Sequence, residues 1–240
     1  MDLTKYTNLA RKALKLRRCG AVIVAAGSAS RMGGIDKVMA PLRGEPMIVH
    51  TVRAFEGCDA IREIVIVTRE DLIQPIMELC HGFSKVRAVV VGGSSRQESV
   101  WQGLKALSEE MELAAIQDGA RPLITGQVID RVVRAANSYA AAIPAIPVKD
   151  TIKICTNGLV DATPDRSRLQ AVQTPQVFDL DLLRVALGHA EQTGAQITDD
   201  CSAVEKLGMK VKVVEGDERN LKVTTPFDLK VAEMLMEEQK

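Results

Sequence analysis

Two hydrophobic periods alternate along this chain. Val22, Ile23 and Val24 form a β-branched run that predicts a buried strand. Pro46 to Gly57 then carries Met47, Ile48, Val52 and Phe55 on one side of a predicted helix, and Glu63 to Thr68 reads as a second buried strand. The same reading gives a helix over Asp71 to Cys80, a strand over Val86 to Val91 and a helix over Glu98 to Leu107. Ala114 to Gln117 is a short strand, Gln127 to Asn137 a helix and Ala140 to Ile146 a strand of small residues. Strands that alternate with helices over short connections predict right-handed crossovers. The expected fold is therefore α/β: a Rossmann-like, mostly parallel sheet with helices on both faces. Ligands of such sheets bind along the carboxyl edge.

Between Val148 and Val177 the pattern changes. Asp150 to Cys155 and Leu169 to Gln173 read as strands, with Thr156, Asn157 and Gly158 as the tight turn between them. This predicts a protruding β-arm at about 148–177. A lone hairpin is marginal in water, so the arm is expected to find a partner surface, and a homodimer follows as an expectation. Helices over Leu180 to Thr193 and Cys201 to Leu207, a strand over Lys210 to Val214 and a helix over Pro226 to Glu238 complete the domain, taken as residues 19–240. The basic segment 1–18, with Leu3, Tyr6, Leu9 and Leu14 near helical spacing, reads as a lead-in helix without the continuous apolar core of a signal peptide.

Composition narrows the possible partners. The 240 residues carry 31 basic and 31 acidic side chains, so no global field favours nucleic acid or an anionic membrane. One Trp, two Tyr and four Phe offer little for stacking single-stranded bases. No apolar run approaches the length of a membrane span. The five cysteines are scattered and form no C-x-x-C pair, which predicts free thiols and a cytoplasmic protein. His50, His81 and His189 lack metal-ligand spacing and read as ordinary helix or surface residues.

Chemistry concentrates in AVIVAAGSASRMGGIDK, where the first strand ends in small residues and a loop carrying Arg31 and Lys37 follows. Small side chains let backbone N–H groups approach phosphates, and the two cations supply fixed positive charge, so the loop is expected to hold a nucleoside triphosphate. A Walker loop is excluded because Val38, not Ser or Thr, follows Lys37. A dinucleotide fingerprint is excluded because Ser28 and Ala29 follow Gly27.

These segments resemble, in order, the family of cytidylyltransferases that make 4-diphosphocytidyl-2-C-methylerythritol from CTP and 2-C-methylerythritol 4-phosphate. The resemblance runs through AAGSASRMG, Lys37, VVGGSSRQESV, DGARP, PVKDT, TPDR, QTPQVF, ITDDCSA and NLKVTTPFDL. It implies a nucleotide-binding α/β domain whose β-arm completes the neighbouring subunit's site. Attack of a phosphate oxygen on the α-phosphorus of CTP brings two anions together, so catalysis needs positioned cations rather than a nucleophilic side chain. By this resemblance Arg31, Lys37 and Lys222 are the catalytic cations. Ala25, Ala26, Gly27 and Gly119 line the nucleotide, and Gly93, Ser94 and Ser99 face the cytosine edge.

Asp118 is the expected holder of Mg²⁺ or of a ligand hydroxyl. Arg121 and Thr174 match contacts to the methylerythritol hydroxyls, Thr151 and Arg166 match arm residues that grip its phosphate across a dimer, and Thr198 is a further substrate contact. An arginine suits that phosphate because its planar fork binds two oxygens. The chain departs from the family at Ala29, where a second glycine is common, and at Ser94, where some relatives carry Asp. The competing activities are transfer to ribitol 5-phosphate and, from another class, a non-catalytic nucleotide-binding regulatory module.

Overall fold

A computed structural model describes residues 16–27 and 36–237; the lead-in segment 1–15, Arg31 and Ala29 lie outside the described residues. β1 (Cys19–Val24) leads to a small hairpin of β2 (Pro41–Leu42) and β3 (Glu45–Pro46), then α1 (Met47–Glu56), β4 (Ile61–Thr68), α2 (Ile73–Cys80), β5 (Val86–Val91) and α3 (Arg96–Ala106). β6 (Leu113–Asp118), α4 (Gly126–Tyr139) and β7 (Ala141–Pro147) follow, then β8 (Ile154–Thr156), β9 (Leu159–Ala162), β10 (Gln170–Val172) and β11 (Gln176–Asp179). The chain continues through α5 (Leu180–Thr193), α6 (Asp200–Lys206), β12 (Lys212–Glu215) and α7 (Pro226–Glu237).

The main sheet runs in the order β10-β7-β11-β6-β1-β4-β5, with β12 beside β7. β5, β4, β1 and β6 are parallel neighbours, as the pattern predicts. β11 enters antiparallel between β6 and β7, while β12 pairs parallel with β7. Alternate residues of β1 feed opposite faces, as strand pleating requires. Ala21 and Ile23 pack with Ile48, Phe55, Ile76 and Val132 from α1, α2 and α4; Val22 packs with Val100, Leu104, Leu183 and Leu187 from α3 and α5. Helices thus cover both faces. α3 lies so close to the sheet that a Cβ on Gly103 would sit 2.2 Å from Val22 Cγ1.

The arm differs from expectation in its pairing. Asn157 and Gly158 turn the chain with φ of 50° and 81°, and the strands they join are Ile154–Thr156 and Leu159–Ala162. Gln170–Val172, expected as the second arm strand, instead pairs antiparallel with β7 in the main sheet. The reason is local. A two-residue turn with both φ positive closes a hairpin only between immediately adjoining residues, so it cannot pair Cys155 with a strand beginning near Leu169. The helix over Asp71 to Cys80 also divides into a short 3₁₀ turn, Glu70–Leu72, and α2.

Candidate active site

The carboxyl edge of the sheet brings the small residues after β1 beside the end of β6. Val24 is in register with Asp118, Gly119 N–H donates to Val24 O at 2.9 Å, and Ala25 N–H donates to Val67 O at 2.7 Å. Above this seam lies a cleft of about 420 Å³. Ala25, Ala26, Gly27, Lys37, Gly93, Ser94, Ser99, Asp118, Gly119 and Lys222 all line it. Residues more than a hundred positions apart in the chain therefore share one wall, including lysines from its two ends.

The turn after β5 supplies Gly93, Ser94 and Ser95 to the cleft's lining. A Cβ on Gly92 would lie 2.6 Å from Ala26 Cβ, so only glycine lets this turn approach the loop after β1 so closely. Ser99 is buried; its Oγ accepts from Gly93 N–H at 3.1 Å and donates to Ser95 O at 2.9 Å. Glu98 Oε2 accepts from both Ser94 N–H and Ser94 Oγ, and Ser95 Oγ caps α3 through Glu98 N–H. The start of α3, at Ser95 and Arg96, thereby borders the cleft.

Lys222 reaches the cleft on a strap pinned at both of its neighbouring anchor points. Asn220, fully buried, donates from Nδ2 to Thr174 O at 2.9 Å, and its carbonyl accepts from Arg121 Nη1 at 2.6 Å. Val223 is also fully buried, packs with Ala40, Leu42, Met47 and Leu123, and donates its N–H to Ala120 O at 2.8 Å. Two apolar or amide anchors around one exposed ammonium are enough to aim it. At the other end of the cleft, Asp36 precedes Lys37, accepts from Val38 N–H at 3.0 Å and forms an ion pair with Arg69.

Asp118 is the electrostatic centre. Its Oδ2 meets Lys222 Nζ at 2.9 Å and Arg121 Nε at 3.5 Å, and its Oδ1 lies 3.8 Å from Arg96 Nε. Thr174 Oγ1 accepts from Asp118 N–H at 3.1 Å, which fixes the backbone that carries the carboxylate. Burial pushes the Asp118 carboxyl up, but Lys222, Arg96 and Arg121 together outweigh it and hold it below the usual carboxylate range. Burial lowers Arg121, only partly opposed by Asp118. Lys37, Arg96 and Lys222 line the cleft with Asp118 as the carboxylate among them, so its lining is locally positive although the formal net charge of the chain is zero.

Not every expected site residue falls here. Arg121 and Thr174 lie directly beneath the cleft, in contact with Asp118. Thr198 lines an adjoining hollow on the far side of Arg96, together with Ser95, Gln97 and Asp199. Thr151 is exposed outside any strand, and Arg166, also exposed, donates to Lys149 O at 2.6 Å on the arm. The motif reading missed Arg96, Asp200 and Asn220. Arg96 stood inside the quoted VVGGSSRQESV segment, but a salt bridge from it to Asp200 spans 104 positions and leaves no local signal.

Among the described residues no group of three or more His, Cys, Asp or Glu side chains could hold a metal ion. Asp118 nevertheless suits an ion bound through one carboxylate and substrate phosphates, the usual manner of Mg²⁺, because it is held ionised. No described helix is long and apolar enough to cross a membrane.

Known proteins resemble this chain in sequence and fold. The family model described as 2-C-methyl-D-erythritol 4-phosphate cytidylyltransferase matches residues 19–238. The enzyme of that name from Symbiobacterium thermophilum is 46% identical over 220 residues, covering 91% of this chain and 92% of its own. That from Geobacillus kaustophilus is 45% identical over 219 residues, covering 90% and 96%. The crystal structure of 4-diphosphocytidyl-2C-methyl-D-erythritol synthase from Anaerococcus prevotii superposes with a TM-score of 0.84 at 30% identity, covering 93% of this chain and 100% of the other. The cytidylyltransferase structure from Thermus thermophilus gives 0.76 at 30% identity, over 90% and 98%. With the sheet, the cleft and the match running together across nearly the whole length, the chain belongs to the 2-C-methyl-D-erythritol 4-phosphate cytidylyltransferase family.

Proposed function

We propose that this protein transfers CMP from CTP to 2-C-methyl-D-erythritol 4-phosphate, releasing pyrophosphate and 4-diphosphocytidyl-2-C-methyl-D-erythritol for isoprenoid synthesis. The observation that carries the reading is the convergence of Lys37 and Lys222 on one cleft, with Lys222 held 2.9 Å from Asp118. The triphosphate lies along Ala25, Ala26 and Gly27, with the cytosine toward Gly93, Ser94 and Ser99. A phosphate oxygen of the acceptor forms a bond to the α-phosphorus as the bond to the bridging β-phosphate oxygen breaks, and pyrophosphate carries the electron pair away. Arg31, Lys37 and Lys222 stabilise the charge that develops, which lowers the barrier without a covalent intermediate.

Asp118 steers Lys222 and, with Arg121, Thr174 and Thr198, orients the acceptor. Asp118 would be the protein carboxylate that holds Mg²⁺, and the ion would supply screening of the triphosphate's charge. The protein acts as a homodimer in the cytoplasm. Exposed Ile154, Leu159 and Val160 on the arm support the dimer, since apolar side chains on a lone hairpin gain by docking, and the docked arm delivers Thr151 and Arg166 to a neighbour's acceptor phosphate. Free Cys19, Cys58, Cys80 and Cys201, all buried, suit a reducing compartment.

Pyrophosphate release measured side by side with 2-C-methylerythritol 4-phosphate and ribitol 5-phosphate tests the assignment. The first acceptor is expected to give the higher kcat/KM. Equal or preferential use of ribitol 5-phosphate overturns it, and CTP binding without turnover on either acceptor would leave a regulatory nucleotide-binding module.

A further inference from the structure

Arg96 stands between two carboxylates. Its Nη2 donates to Asp200 Oδ2 at 2.7 Å, while its Nε lies 3.8 Å from Asp118 Oδ1. Asp200 opens α6, is fully buried, and has an Oδ1 with no hydrogen-bond partner. Such a carboxylate is costly in a protein interior unless a cation offsets it, and Arg96 is that cation. Arg96 also occupies the first position of α3, where the helix dipole disfavours positive charge, so its placement depends on the acids that hold it. The guanidinium is short to one acid and long to the other.

The long side matters for the reaction. Asp118 already receives Lys222 and faces Arg121 on Oδ2. If Arg96 closed the gap to Oδ1, it would draw the carboxylate toward itself and compete with Lys222 for the same anion, weakening the contact that aims the ammonium into the cleft. We propose that Asp200 is a positioning residue that acts through Arg96: by taking the strong hydrogen bond, it holds the guanidinium off Asp118 and so keeps Lys222 directed at the reacting phosphate. The inference rests on the cytidylyl-transfer reading and adds to it Asp200, which does not itself line the cleft.

Asp200→Asn keeps the shape of the side chain and removes its charge. Arg96 then moves onto Asp118, and kcat is expected to fall about tenfold, the scale of one misdirected charge-assisted hydrogen bond. CTP affinity, measured by titration calorimetry, changes much less. The distinguishing variant is the double substitution Arg96→Gln with Asp200→Asn, which leaves no buried charge unpaired at this point. With no guanidinium to pull on Asp118, it is expected to be more active than Asp200→Asn alone, recovering kcat to within about threefold of the unsubstituted protein. A merely structural pair would show lower melting temperatures and no such rescue. The inference is overturned if Asp200→Asn turns over at the full rate, or if the double variant is no faster than the single one. An unsubstituted protein that releases no pyrophosphate overturns the transfer reading along with it, whereas normal turnover with an unaffected Asp200→Asn overturns this inference alone.

Discussion

The cleft and the arm use the same residue types in opposite ways. In the cleft, three charged side chains are aimed by buried neighbours of the same chain: Lys222 by Asn220 and Val223, Asp118 by Thr174, Arg96 by Asp200. On the arm the apolar side chains face outward, with Leu159 74% exposed, Val160 59% and Ile154 54%, and Arg166 is held only by a backbone carbonyl. One region is finished within a single chain. The other presents a surface whose free energy falls only when something covers it. The proposed site, assembled from both, would separate two tasks: fixed cations for the phosphorus centre within the domain, and recognition of the acceptor on an element that depends on docking.

Removing a cleft cation breaks that comparison most severely. Lys37→Ala or Lys222→Ala is expected to lower kcat by about a hundredfold or more, because such groups act on charge that appears in the transition state. CTP affinity should fall far less, and steady-state kinetics beside calorimetry will show whether the two losses separate. Equal losses would make these lysines simple binding groups.

A charge on the arm should act on assembly first and chemistry second. Leu159→Glu is expected to shift the sedimenting species from dimer to monomer without lowering the melting temperature of the domain. With Arg166 no longer delivered to a neighbour, KM for the acceptor should rise by roughly tenfold, the scale of one lost charged hydrogen bond. A variant that remains dimeric with unchanged KM would place the arm outside the site.

The smallest effect sharpens the electrostatics of the cleft. Asp118 has a folded-state pKa below its unfolded value of 3.8, so its ionised form favours the fold; that stabilisation is complete above pH about 4 and is lost as the pH falls through the lower folded value. Asp118→Asn should cost about 1–3 kcal/mol at neutral pH, since Lys222, Arg96 and Arg121 lose their shared anion. The urea-unfolding curves of the two proteins are expected to converge in acid. A gap that stays constant with pH would mean that packing, not charge, makes the difference.

Much of this was legible from local pattern. The α5 helix runs over Leu180–Thr193, as its periodicity predicts, and β1, β4, β5 and β6 appear as the parallel core that β-branched runs required. The residues that the family resemblance assigned to the nucleotide, from Ala25 to Gly119, line one cleft. The antiparallel entry of β11 was not legible, because four residues of strand carry no record of the direction in which they will pair. Nor was the arm's true hairpin, where the turn's geometry selected the adjoining Leu159–Ala162 over the segment further along.

What the sequence by itself determined are the properties that travel with neighbouring residues: strand and helix periods, the positive-φ turn at Asn157 and Gly158, the small residues that open an anion loop, and the ordered motifs of the family. What only the tertiary structure decided is which distant charges meet. Asp118 lies more than a hundred positions from Lys222, and Arg96 as far from Asp200, yet their contacts set the field of the cleft. Pattern along a chain encodes burial, which each residue expresses locally; ion pairs depend on where the folded sheet brings its edges, and no local spacing carries that distance.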